Sequence, residues 1–104
     1  MVAEGTEKIV VIIDKDLAGL IPAYLVNRHG DIEKMNSALD SGEFETIRRI
    51  GHQLKGSGGG YGFDFITDAG TAIEQGAIEK NYGEIKRHIA ALGDYLDRLE
   101  TVYE

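Results

Sequence analysis

An apolar repeat in the C-terminal part of the chain constrains the fold most strongly. Its members recur at intervals of three or four residues: Tyr82, Ile85, Ile89, Leu92, Leu96, Leu99 and Tyr103. This spacing places apolar side chains on one face of an α-helix. Asn81 and Glu84 occupy the positions of a capping pair, so we expect a long final helix that begins here. A helix with one apolar face must pack against other elements, which favours a helical domain.

Four earlier segments show the same helical period. Residues 17–25 form the first and shortest, and we expect a break after it at His29-Gly30. The other three carry their apolar residues at Ile32, Met35 and Leu39; at Phe44, Ile47, Ile50 and Leu54; and at Phe65, Ile66, Ala69, Ala72, Ile73 and Ala77. Short connections favour antiparallel neighbours, so the sequence predicts an all-α, up-and-down four-helix bundle. Residues 17–25 are expected to add a short helix at one end.

The N-terminal segment has a different pattern. Ile9–Ile13 is apolar and β-branched and, in isolation, is typical of a strand. No later segment repeats this pattern, so we expect no partner strand and an extended segment packed along the helices. The chain is therefore divided into an N-terminal extended segment, residues 1–16, and a bundle, residues 17–104.

Length and composition limit the possible functions. A chain of 104 residues forms one domain, and a net charge of −7 argues against nucleic acid as a partner. No apolar run approaches the roughly 20 residues of a membrane span. The absence of cysteine excludes disulfides and cysteine-ligated metals and is compatible with the cytoplasm, where we expect the protein. We expect a monomer, although Ile9–Ile13 could pair with a second copy.

Residues 51–63, G-H-Q-L-K-G-S-G-G-G-Y-G-F, contain the most informative candidate site. At about 100° per residue, His52 falls opposite the apolar stripe of its helix, so its side chain is expected to face solvent. Arg48 and Lys55, at i−4 and i+3, lie on the same face. No acidic residue occurs from position 48 to position 63, which is a weak indication of an anionic ligand or an acidic partner.

These residues allow a phosphoryl group to be carried on His52. A neutral imidazole, with an ordinary pKa of about 6.5, presents an unprotonated nitrogen that can attack phosphorus. Lys55 and Arg48 are candidates for stabilising the phosphoryl oxygens. The small residues Gly56, Ser57 and Gly59 would let the backbone of a partner protein approach the ring. An exposed histidine without a role, and glycines that only end the helix, are the alternatives.

One family combines these features. The sequence H-x-L-K-G-S followed by G-F resembles the signature of histidine-containing phosphotransfer (HPt) domains, and the similarity extends over about residues 17–100. The resemblance implies that His52 exchanges a phosphoryl group with an aspartate in the receiver domain of a response regulator. A histidine kinase or hybrid kinase is the other expected partner. The chain itself is then not an enzyme and needs no cofactor or metal, because Mg²⁺ is expected on the receiver domain.

The resemblance also suggests a polar residue on the following helix that hydrogen-bonds the second imidazole nitrogen. Glu74 is at the matching position, and Gln75 is the adjacent alternative. Such a bond would hold the tautomer in which Nε2 is unprotonated. A solvated Glu74 without this role is equally compatible with the sequence.

Other functional classes fit less well. The residues Gly51-x-x-x-x-Gly56-Ser57 lack the lysine of a P-loop, and no G-x-G-x-x-G occurs. His29 with Glu33, and His88 with Glu84, each make only half of a zinc site, so no metal is expected. The chain is too short to include the ATP-binding domain of a kinase. The main alternative is a non-catalytic helical docking module, although such degenerate bundles usually lose the histidine or the lysine.

Overall fold

A computed structural model describes residues 7–104, and it is mostly helical with four α-helices, which confirms the predicted all-α class. The elements in chain order are β1 Ile9–Ile13, α1 Ile21–Asp40, α2 Phe44–Ser57, α3 Asp64–Ile78, α4 Tyr82–Arg98 and β2 Leu99–Tyr103. Short 3-10 turns at Lys15–Leu17 and Gly59–Tyr61 precede α1 and α3. Over the residues that the structure describes, no helix is long and apolar enough to cross a membrane.

The predicted start of α4 is confirmed by a local hydrogen bond, and the end of α1 is marked by backbone geometry. The side chain of Asn81 accepts a hydrogen bond from the backbone N–H of Glu84 at 3.1 Å, so it caps the start of α4. After α1, Gly42 has a φ of +71°, a conformation that glycine adopts without steric cost.

The predicted break at His29-Gly30 is wrong, because α1 is one continuous helix of 20 residues. The predicted separate helix at residues 17–25 is wrong for the same reason, since α1 begins at Ile21. Gly30 disfavours the helix locally by about 1 kcal/mol relative to alanine. Burial of Tyr24 and Met35, on either side of it, stabilises the same helix by a larger amount.

The end of the chain also differs from its prediction. Helix α4 ends at Arg98, and the following residues form β2, which pairs in parallel with β1 from Ile9↔Leu99 to Ile13↔Tyr103. The expectation that Ile9–Ile13 has no partner strand is therefore wrong. The apolar spacing of the final helix continued through Leu99 to Tyr103, but Leu99 and Thr101 also alternate with the exposed Glu100 and Val102, as in a strand.

This pairing joins the N-terminal segment to the helical part of the molecule. Ile13 is only 1% exposed and belongs to the same core as the buried residues of the helices. The expected division at residue 17 therefore does not coincide with a break in the core. Residues 1–6 of that segment lie outside the described residues.

The core lies between the four helices, with α1 packed on α2 and α4, and α3 packed on α2 and α4. Helices α2 and α3 approach each other most closely, at Gly51 and Gly70. A Cβ atom added at Gly70 would overlap the backbone nitrogen of Lys55 and would lie 2.7 Å from the carbonyl oxygen of Gly51. The two backbones are therefore in direct contact, and a side chain at position 70 would have to push them apart.

We expect Gly70→Ala to lower the free energy of unfolding by about 1–3 kcal/mol, because the added methyl group must push α2 and α3 apart. Gly56→Ala is the matched control, since a Cβ atom at Gly56 meets nothing within 4 Å. That control should raise the same free energy by up to about 1 kcal/mol through helix propensity. Urea unfolding followed by circular dichroism measures both values. Equal effects of the two substitutions would contradict the close packing at Gly70.

Candidate functional site

His52 lies on the exposed side of α2, between residues that turn toward the core. Its side chain is 68% exposed, whereas Gly51 and Leu54 are buried against α3 and the core. The imidazole is thus held on a well-packed helix and remains accessible to another molecule.

Glu74, on α3, connects His52 to Lys55. Its Oε2 lies 2.8 Å from Nδ1 of His52, and its Oε1 lies 3.6 Å from Nζ of Lys55. Only 15% of the Glu74 side chain is exposed, while 48% of the Lys55 side chain is exposed. A carboxylate beside Nδ1 accepts a hydrogen bond from Nδ1–H and so favours the neutral tautomer in which Nε2 is unprotonated.

The close approach of α2 and α3 explains why Glu74 reaches the imidazole. A Cβ atom added at Gly51 would lie 2.8 Å from the backbone nitrogen of Glu74. A glycine directly before His52 therefore allows the backbone of α3 to pass beside the site. The sequence did not mark Gly51 or Gly70 as determinants of the site, and the available signal was the small residues at positions 69–72.

The hydrogen bond from His52 lowers the pKa of the Glu74 carboxyl group from its ordinary value of 4.5. The charges of His52 and Lys55 act in the same direction, and partial desolvation opposes them. A lowered pKa keeps Glu74 ionised at neutral pH, so the acceptor for Nδ1–H is present there.

Arg48 is not in contact with the other candidate residues. Its Nε donates to Oε2 of Glu45 at 2.9 Å, and a second guanidinium nitrogen contacts Oε1 of the same carboxylate. This pairing raises the pKa of Arg48 and lowers that of Glu45. Across residues 7–104, no hydrogen bond or ion pair joins Arg48 to His52, Lys55 or Glu74.

The three small residues expected to give a partner access differ in their surroundings. Gly56 and Gly59 are exposed, and a Cβ atom at Gly56 would meet no other atom within 4 Å. Ser57 is half-buried, with its Oγ 3.0 Å from the hydroxyl of Tyr24 and 3.5 Å from Nη1 of Arg28. The Ser57 hydroxyl thus joins α2 to α1, and its role in partner access stays a prediction.

Gln75 was the alternative to Glu74 beside the histidine. Its Nε2 donates to Oε2 of Glu79 at 2.7 Å, four residues later at the C-cap of α3. Of the two neighbouring candidates, Glu74 is therefore the one in contact with His52.

Thr67, which the sequence did not indicate, fixes the C-terminal end of α2, the helix that carries His52. The hydroxyl of Thr67 accepts a hydrogen bond from the backbone N–H of Gly59 at 2.8 Å and donates to the carbonyl of Lys55 at 3.2 Å. These two backbone groups would bond each other if α2 continued. Thr67 takes the place of that bond and ends the regular helix directly after the segment that carries Lys55.

An exposed histidine held by an acid and flanked by a lysine on a helical domain has the features of a phosphoryl carrier. The family model described as the Hpt domain matches residues 20–102, so the chain belongs to the Hpt domain family. A search of curated proteins and a search of solved structures found no match.

Membership of this family gives the general role. Hpt domains are histidine phosphotransfer modules of two-component phosphorelays that interact with receiver domains and histidine kinases; they are not themselves kinases or ATPases. Over residues 7–104, no group of three or more side chains is arranged to hold a metal ion.

The lowered pKa of Glu74 gives a testable pH dependence. We expect its carboxyl carbon to titrate below 4.5 by NMR, and we expect His52→Gln to move the midpoint upward by removing the hydrogen bond that lowers it. The pKa of Glu74 is lower in the folded protein than in the unfolded chain. Ionised Glu74 therefore stabilises the fold above about pH 4.5, and this stabilisation is lost as the pH falls through the pKa of the folded protein. A midpoint at or above the ordinary value in the unsubstituted protein would contradict the contact.

Proposed function

We propose that His52 carries a phosphoryl group on Nε2 and exchanges it with the receiver-domain aspartate of a response regulator or hybrid kinase. The observation that supports this most directly is the contact between Glu74 and Nδ1, at 2.8 Å on an imidazole that is 68% exposed. His88 offers a different arrangement, since its Nε2 is the nitrogen beside Glu84, at 3.3 Å, and its side chain is only 25% exposed.

The proposed transfer is a displacement at phosphorus. The lone pair of Nε2 forms the N–P bond as the P–O bond to the aspartate breaks, and the aspartate leaves as a carboxylate. The ring gains positive charge while Nδ1 keeps its proton, and the Glu74 carboxylate balances that charge. The reverse reaction returns the phosphoryl group to a receiver. Mg²⁺ is expected on the receiver domain, so this chain provides the nucleophile and its orientation.

In the proposed mechanism, Lys55 stabilises the phosphoryl oxygens. Its Nζ lies 3.6 Å from Glu74 and its side chain is half exposed, so rotation toward an incoming group requires little desolvation. Arg48 has a smaller proposed role, through its charge alone, because Glu45 holds its guanidinium group. The exposed glycines Gly56 and Gly59 provide the surface on which the receiver domain approaches.

We further propose that the helices form an up-and-down four-helix bundle in a cytoplasmic protein. The ring of contacts from α1 through α2, α3 and α4 back to α1 supports this arrangement, as do the short connections between consecutive helices. In such a bundle α2 and α3 are antiparallel, which agrees with the contacts of Gly51 with Glu74 and of Gly58 with Phe63 and Thr67.

The experiment that tests the function is transfer from a phosphorylated receiver domain to the purified chain. We expect acid-labile labelling of the unsubstituted protein and none of His52→Gln, which should fold normally because the side chain is exposed. His88→Gln is the matched control, since it removes another histidine that contacts a helical glutamate. Labelling retained in His52→Gln would assign the site elsewhere. No labelling of the folded protein by any of several receivers would favour the docking module.

A second substitution tests the role of Lys55. We expect Lys55→Ala to slow transfer by about 10- to 100-fold, the loss of one hydrogen bond to a charged group, without lowering stability. Lys86→Ala removes the same charge from α4, where Nζ lies 5.7 Å from the centre of the Tyr82 ring, and should transfer at the normal rate. Single-turnover rates measured at saturating receiver separate this effect from binding. Equal rates for the two variants would exclude Lys55 from the transfer step.

A further inference from the structure

The outer edge of β1 has unpaired backbone groups. In the parallel pair, the odd-numbered residues direct their N–H and C=O groups toward β2: the N–H of Glu104 donates to the carbonyl of Ile13, and the N–H of Lys15 donates to the carbonyl of Glu104, each at 3.0 Å. The backbone groups of Val10 and Ile12 therefore point away from β2. The sheet has two strands within residues 7–104, so this edge has no neighbouring strand there.

The side chains of β1 make this edge unusual for an isolated domain. Ile9, Val11 and Ile13 pack toward the core, while Val10 and Ile12 are 57% and 62% exposed. Folded proteins usually protect edge strands with charged residues, proline or a bulge, because a flat apolar edge pairs readily with another strand. Neither proline nor charge occurs between Ile9 and Ile13.

The sequence of this strand complements itself when two copies run antiparallel. In the segment Lys8-Ile-Val-Val-Ile-Ile-Asp14, antiparallel pairing about Val11 places Val10 opposite Ile12 of the second copy. Both of these residues have backbone groups on the free edge, so they can exchange two N–H···O=C bonds, as an antiparallel ladder requires.

The charges of Lys8 and Asp14 favour this register over the registers that are shifted by two residues. The same alignment places Lys8 opposite Asp14 of the second copy, on the face that also carries Val10 and Ile12. Within its own chain, Oδ1 of Asp14 also accepts a hydrogen bond from the backbone N–H of Asp16 at 2.9 Å. Opposite charges directly across an antiparallel pair are favourable, and the two-fold symmetry supplies two such pairs. A shift of two residues would instead place Lys8 opposite Ile12, or Asp14 opposite Val10, and would lose both ion pairs.

We propose that two copies of the chain associate through β1 and form a continuous four-stranded sheet in the order β2-β1-β1-β2, with the two-fold axis at Val11. This dimer replaces the monomer as our expectation for the protein in solution. The interface is small, so we expect the dimer to dissociate when the protein is diluted. The protein concentrations at which this happens lie within the range of ordinary solution measurements. It does not rest on the proposed phosphotransfer, because His52 lies on α2 and takes no part in the strand pairing.

A charge-exchange series of the full chain tests both the association and its register. Sedimentation equilibrium over about 5–500 μM protein should show a monomer–dimer equilibrium. Lys8→Asp and Asp14→Lys should each weaken the dimer about tenfold or more, because each places like charges opposite each other twice. The double variant Lys8→Asp/Asp14→Lys should recover most of the affinity.

A control separates the β1 edge from the exposed face of the sheet. Val102 is 40% exposed on β2, away from the proposed interface, so Val102→Lys should leave the dimer unchanged. A larger effect of Val102→Lys than of Lys8→Asp would overturn the edge-to-edge arrangement. A monomer throughout the concentration range would overturn the dimer, and failure of the double variant to recover affinity would overturn the register.

Discussion

The geometry of the site depends on the direct contact between the backbones of α2 and α3. Gly70 lies against the peptide groups of Gly51 and Lys55, with no space for a side chain. Helices separated by ordinary side chains lie about 8–10 Å apart, and a glutamate on one would then approach the other only at its outer surface. Here Glu74, one turn after Gly70, reaches Nδ1 of His52 while only 15% of its side chain is exposed. The glycines therefore determine whether the histidine has an acceptor.

The role of each charged residue at the site depends on its nearest partner and not only on its spacing along the helix. Glu74 contacts both His52 and Lys55, and its lowered pKa keeps it charged at neutral pH. Arg48 shares a helical face with His52, but Glu45, three residues before it, holds its guanidinium group. The i,i+3 spacing of Glu45 and Arg48 was visible in the sequence and favours such a pair. Lys55 is thus the cation that contacts the acceptor of His52.

The sequence predicted those features that depend on local geometry. The exposure of His52 follows from helical periodicity alone, and Asn81 caps α4 as its position indicated. Contacts between distant residues could not be predicted in this way: Thr67 closes α2 from 12 residues away, and Gly70 meets Gly51 across 19 positions. At Gly30 the prediction from the local sequence was wrong. Glycine disfavours a helix, but burial of the residues on both sides of it stabilises one continuous α1.

The C-terminal strand shows why periodicity alone does not determine an element. Residues 99–103 satisfy both the three-to-four spacing of a helix and the alternation of a strand, so local sequence leaves both structures open. Strand β1 resolves the ambiguity, since the backbone groups of its odd-numbered residues need a partner and β2 provides one. The structure at the end of the chain is therefore determined by residues about 90 positions earlier. The same pairing uses only one edge of β1, so within residues 7–104 the backbone groups of Val10 and Ile12 face no neighbouring strand.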